Sequence, residues 1–112
     1  MTTVVETKLA QGYVDHSTVS AVYTVPLATK TRVTTIHLTN NHADTNRSVD
    51  IYAHGSGNNN CILRGVDVKY KGTYILDNMK IVLDPEEVLY AKADGGSEEV
   101  TITLYGKTMD IS

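Results

Sequence analysis

The sequence predicts an all-β fold: a two-sheet antiparallel sandwich, jelly-roll or immunoglobulin-like, with seven or eight strands. Three observations carry that expectation. Short segments alternate apolar and polar side chains with the period of two that a half-buried strand requires. Turn-forming residues interrupt those segments every ~8–12 positions, the spacing of sandwiches and barrels. Thr and Val are abundant and favour strands, while Trp and Phe are absent, so seven tyrosines supply all the aromatic packing.

The elements follow in order. The segment "TVVETKL" is weakly patterned, and "STVSAVYTV" is stopped by Pro26. "TRVTTIHLTN" comes next, with Ile36 and Leu38 inward and Val33, Thr35 and His37 outward. In "SVDIYAH" the alternation turns Val49, Ile51 and Ala53 to the core and Asp50, Tyr52 and His54 outward. "CILRGVDVKY" and "TYILDNMKIVL" flank Lys71-Gly72, which reads as a two-residue hairpin turn. Asp84-Pro85 opens a turn before "EVLYAKA", which suits a strand better than a helix. In the closing "EVTITLYGK", Val100, Ile102 and Leu104 face inward and Thr101, Thr103 and Tyr105 outward.

A chain of 112 residues supports one ordinary core, so residues 12–112 form a single sandwich domain. Residues 1–11 are set apart as an N-terminal arm. Val4, Val5 and Leu9 make it lightly apolar, and Gly12 follows it. An isolated strand leaves its backbone groups unpaired, so the arm is expected to cross to a neighbouring subunit or another protein.

Charge narrows the function. Ten Lys/Arg stand against thirteen Asp/Glu, and no basic run occurs in the sequence. Nucleic acid and anionic membrane surfaces, which need concentrated positive charge, are therefore not expected partners. No apolar run has the length of a membrane span or signal-peptide core, so synthesis in the cytoplasm without a standard export signal is expected. Cys61 is the sole cysteine, which excludes an intrachain disulfide and suits a small buried apolar residue.

The stretch "VTTIHLTNNHADTNRSVDIYAHG" holds His37, His42 and His54 and is the first place to look for chemistry. If its two strands pair, His37 and His54 share a face at different heights. Two imidazoles do not close a zinc site, which needs three or four converging ligands. Asp44, Asn46, Ser48 and Asp50 are spaced like the first ligands of a calcium loop. Val49 replaces the required glycine, and Gly55 stands where the bidentate glutamate belongs. Ser56 lies near His54 but lacks the G-x-S-x-G elbow. No phosphate loop is present, and Glu86-Glu87 and Glu98-Glu99 read as solvated turn charges. Neither a catalytic constellation nor a cofactor or metal site is expected. The stretch reads as two strands and a loop.

Two blocks of the chain together resemble a known family. The first holds "YTVP", "TKTRVTTIHLTN" and "SVDIYAHG". The second holds "MKIVLDPEEVLYAKAD" and "VTITLYGK". Their order across residues 20–107 resembles small all-β virion structural proteins of tailed bacteriophages, of the head decoration or cement type. The resemblance implies that Pro26 and Asn40 shape turns, and "DPEE" departs from the glycine turn that the family pattern often carries. It also implies a non-enzymatic protein, made in the host cytoplasm, that sits on the head surface and stabilises the assembled head. The implied partners are the major capsid protein or another virion protein, together with other copies of the chain as a homo-oligomer, a trimer being favoured. Outward Tyr52 and Tyr105, with His37 and His54, are then the interface candidates. Two other readings stand beside it. One is a neck, tail or baseplate component. The other is a carbohydrate-binding module using Tyr52, Asp50 and Asn58–Asn60, against which the lack of Trp counts.

Overall fold

The computed structural model describes residues 4–96 and 98–111, with side-chain environments from residue 7 onward. Alternating Val, Thr and Tyr segments form the strands β1 (Val4–Tyr13), β2 (Ser20–Thr24), β3 (Thr29–Asn40), β4 (Arg47–Ala53) and β5 (Cys61–Val68). They are followed by β6 (Thr73–Leu76), β7 (Ile81–Leu83), β8 (Val88–Ala93) and β9 (Val100–Asp110), with one 3-10 turn at Asn58–Asn60. A five-stranded sheet runs β1-β9-β3-β6, with β7 also paired to β3, and a four-stranded sheet runs β2-β8-β4-β5. Every pairing between described strands is antiparallel.

The strand order chooses between the two expected topologies. The chain changes sheet at each step from β1 to β4, and the first and last strands lie side by side. That is a jelly roll, since an immunoglobulin sandwich keeps its first two strands in one sheet. β6 and β7 occupy one position in this scheme. The single strand expected over "TYILDNMKIVL" is broken at Asp77–Lys80, where Asn78 takes a positive φ of 55°.

The core lies between the sheets and is filled by the inward register positions, among them Ile36, Leu38, Ile51, Leu89, Ile102 and Leu104, all fully buried. Tyr23 reaches across from β2, and its hydroxyl lies 3.0 Å from that of the buried Thr31 on β3.

Four expectations are corrected. Val33 is fully buried, because a bulge between Val33 and Thr35 shifts the phase and turns both Val33 and Ile36 inward. Lys71-Gly72 is not a hairpin turn. The turn is real, with Gly72 N–H donating to Lys69 C=O at 3.0 Å, but it carries the chain from β5 in one sheet to β6 in the other. Cys61 is half-buried at the start of β5, where its thiol donates to Leu63 C=O, and is not a core residue. Finally, the N-terminal segment does not leave the domain. Residues 4–13 pair with β9 from Val4↔Met109 to Tyr13↔Thr101, and Leu9, at a bulge, packs against the domain's own core. The side chains of Val4 and Val5 lie outside the described residues.

Candidate functional site

Register decides which of the candidate residues meet. β3 and β4 lie in different sheets, so His37 and His54 share no face, and the pairing that would have brought them together does not exist. His37 lies on the outer face of the five-stranded sheet, opposite Thr103 on β9 and Ile75 on β6. Two positions along β9 from Thr103, Tyr105 shares that face, and its ring stands 5.1 Å from the imidazole at a tilt of 57°. Those two candidates meet.

Tyr52 does not join them. It is on the four-stranded sheet, opposite Tyr90 on β8 and Cys61 on β5, and only 4% of it is exposed. Alternation does turn it away from the inter-sheet core. β4 is nevertheless a central strand, with neighbours on both sides in β8 and β5. Tyr52 is therefore no contact residue, and a sugar cannot stack on it, which takes the aromatic platform from the carbohydrate-binding reading.

His54 directly follows β4, with φ at 73°, and is tied down. Its Nδ1 lies 2.8 Å from Glu87 Oε2, while Glu87 Oε1 accepts the Asp84 N–H at 2.7 Å. The Asp84 N–H, followed by His54, holds the Glu87 carboxyl below the usual glutamate range. Among the described residues no hydroxyl or thiol bonds the other imidazole nitrogen, so Ser56 gains no base from the pair. The pair braces two turns at one end of the sandwich.

At the opposite end the loops are organised by polar side chains: Asn40, for which the resemblance implies a turn role, and Glu99, which the sequence reads as a solvated charge, are both tied in by hydrogen bonds. Asn40 is fully buried. Its Nδ2 donates to Thr45 C=O at 2.9 Å and Val68 C=O at 3.0 Å, while its Oδ1 accepts the His42 N–H. Arg47 donates to Glu99 at 2.6 Å, and Glu99 also accepts the Gly96 N–H. The Arg47 guanidinium above all, with that N–H, keeps the Glu99 carboxyl below its ordinary range. Asp15 is held lower still by the N–H groups of Ser17 and Thr18 and the hydroxyl of Ser20. Asp44 and Asp50 of the calcium-like spacing point to separate partners, Thr45 and Gly65 N–H. No grouping of three His, Cys, Asp or Glu suited to a metal occurs among the described residues.

The outer face of the five-stranded sheet is thus where candidate residues converge, and it divides into two halves. Toward the start of β9 it carries Thr101, Thr103 and Tyr105 beside Thr35, His37 and Thr39, with Thr73 and Ile75 on β6 and Tyr13 on β1. Tyr13 is 59% and Ile75 55% exposed. Toward the end of β9 the face turns basic, with Lys107 and Met109 opposite Arg32 and Lys30 on β3 and Val82 on β7. An open cleft of about 270 Å³ between Arg32, Lys80 and Lys107 adjoins one of about 220 Å³ floored by Val82 and Met109. Tyr13 was within reach of sequence reasoning, as the alternation of "QGY" continues the first strand. The basic group was not, because its members lie far apart in the chain.

The fold defines a jelly-roll domain with one mixed hydroxyl, aromatic and basic sheet face. No family model and no curated protein matches the chain. Among solved structures it is similar to a chain in the structure of the infectious bursal disease virus Gt strain, at 8% identity and a TM-score of 0.37. That likeness covers 96% of this chain and 31% of the other, so the chain spans about a third of its neighbour's length.

Proposed function

We propose that the protein is a non-enzymatic structural component of a virion, and specifically a decoration protein that binds and reinforces the assembled head of a tailed phage. The observation that carries this reading is the jelly-roll strand order, an architecture used by capsid domains. The order of segments across residues 20–107 that resembles phage virion proteins supports it further. His37 and Tyr105 are the contact residues retained from the sequence, with Tyr13 and Ile75 beside them on the same exposed face. Aromatic residues on such a face suit an interface, since tyrosine contributes apolar area and a hydroxyl together. The partners in this reading are the major capsid protein and further copies of the chain, a trimer multiplying weak contacts through avidity. The protein is made in the host cytoplasm and ends on the head surface.

The test is occupancy and copy number. Purified particles of the encoding phage are analysed by quantitative mass spectrometry, and the isolated protein by native mass measurement. Hundreds of copies per particle and a homo-oligomer are the expected result. Absence from particles together with a monomeric protein rejects the reading, and a copy number near that of the portal or tail moves it to the neck or tail.

A further inference from the structure

The basic half of the five-stranded sheet is assembled only by folding. Arg32 lies directly opposite Lys107 on β9 and, on its other side, opposite Val82 on β7, and Lys80 lines the same cleft. Like charges directly opposite one another destabilise a sheet, and strands ordinarily place opposite charges there. Among the described residues, no ion pair involves Arg32, Lys80 or Lys107, whereas neighbouring Lys30 is paired with Asp84 at 3.3 Å. Asp77 is at the rim of the cleft, but its Oδ1 already accepts the Thr35 hydroxyl and the Asn78 N–H. Glu6 sits opposite Lys107 in the register of β1, at the margin of the face. The cationic cluster therefore outnumbers the carboxylates near it in a chain whose net charge is −3.

We propose that this half-face docks an acidic, extended segment of another protein, with Arg32, Lys80 and Lys107 receiving its carboxylates and Val82 and Met109 receiving its apolar side chains. Charge complementarity argues for the carboxylates. The adjoining apolar cleft, which shares Arg32 and Lys107 with the polar one, argues for a peptide over a free anion. Alternate side chains of an extended segment project the same way, so one segment with carboxylates and a Val or Leu on the same register fills both clefts. A nucleic acid would find only a short basic patch on a net-negative molecule and nothing to match Val82, which is 45% exposed. This inference stands without the virion reading, since a failure to find the protein in particles says nothing about peptide binding.

The probe is a fluorescein-labelled peptide with glutamate and leucine or valine in turn at every second position and serine between them, so that both kinds of side chain project the same way. It is titrated against the full chain at low ionic strength and followed by anisotropy. Saturable binding that weakens with added NaCl is expected. The Arg32→Glu/Lys107→Glu double variant should lose about tenfold or more in affinity, and Val82→Asp should also weaken it. Lys69→Glu/Lys71→Glu, in the turn at the other end of the sandwich, should leave it unchanged. Arg32→Glu alone serves as the folding control, because it turns a like-charge pair into an opposite one. It should raise the melting temperature while lowering affinity. Absence of saturable binding overturns the proposal, as does unchanged affinity in the double variant. So does competition by an oligothymidylate as effective as unlabelled peptide, which would mark a general polyanion patch, or displacement by inorganic phosphate at similar concentration, which would mark a simple anion site.

Discussion

Asn40 shows how much a single side chain can decide. Its amide is buried and every polar atom of it is used, closing the loop between β3 and β4 and fastening it to the end of β5. Asn40→Ala strands the buried Val68 carbonyl and unpairs the part-buried Thr45 carbonyl and His42 N–H, so a loss of about 1–3 kcal/mol is expected in urea unfolding. Glu86 shows the converse, a residue working against its own geometry. It occupies the third position of the Asp84–Glu87 turn at φ 69°, after Pro85, with Glu87 N–H donating to Asp84 C=O at 3.0 Å. A type II turn wants glycine there. This is the turn where the resemblance drawn from the sequence implies a glycine, and the backbone takes a glycine conformation with glutamate in its place. Glu86→Gly relieves strain of about 1 kcal/mol and concedes part of it to unfolded-state entropy, so neutral to slightly higher stability is expected. Glu86→Val, branched at Cβ, should cost about 1–2 kcal/mol. Thermal unfolding of the pair checks both.

Among the elements, β9 is the organising one. It is flanked by β1 and β3 along almost its whole length, and both neighbours bulge beside it, β1 at Leu9 and β3 at Thr34. Gly106 lies where the three strands crowd. A Cβ there would overlap the Arg32 carbonyl and press on the Leu9 side chain. A glycine within a strand often marks such a close approach. Gly106→Ala should destabilise by about 3 kcal/mol or more and be visible as a lower denaturation midpoint. The pairing of β1 with β9 also fixes the outcome of truncation. Removing residues 2–10 strips most of one neighbour from β9 and uncovers part of the core under Leu9 and Ala10. The melting temperature of the isolated protein should fall by several degrees at least. An unchanged value would restore the picture of a detachable arm.

For the molecule as a whole, acid sensitivity follows from the carboxylates that brace its loops. Glu99, Glu87 and Asp15 are all held below their ordinary ranges, by Arg47, by the Asp84 N–H and by the Ser17 N–H respectively, as the leading cause in each case. A carboxyl depressed in the folded state stabilises above its unfolded value, and that stabilisation is lost as pH falls toward the folded one. The protein should hold its melting temperature near neutrality and lose it progressively below about pH 5. Glu99→Gln removes one of these contributions at every pH. Its deficit against wild type should be largest near pH 7 and close as the medium becomes acidic. A deficit that stays constant with pH would show that the Arg47–Glu99 contact acts by packing alone.

The sequence by itself determined what depends on near neighbours in the chain. Period-two alternation placed the strands and most of the core, because a pleated strand puts successive side chains on opposite faces whatever it pairs with. It also placed the Asp84-Pro85 turn, whose geometry is local. The tertiary structure decided what depends on pairing. Jelly roll over immunoglobulin topology, the separation of His37 from His54, the pairing of β1 with β9 and the gathering of Arg32, Lys80 and Lys107 are all consequences of which strand lies beside which. Two kinds of misreading share that origin. Alternation cannot see the bulge that shifts Val33 into the core, since a single unpaired residue changes phase only relative to a partner strand. Nor can it see that an outward Tyr52, on a strand flanked by β8 and β5, is buried, because burial on a sheet's outer face is set across strands, by residues far apart in the chain.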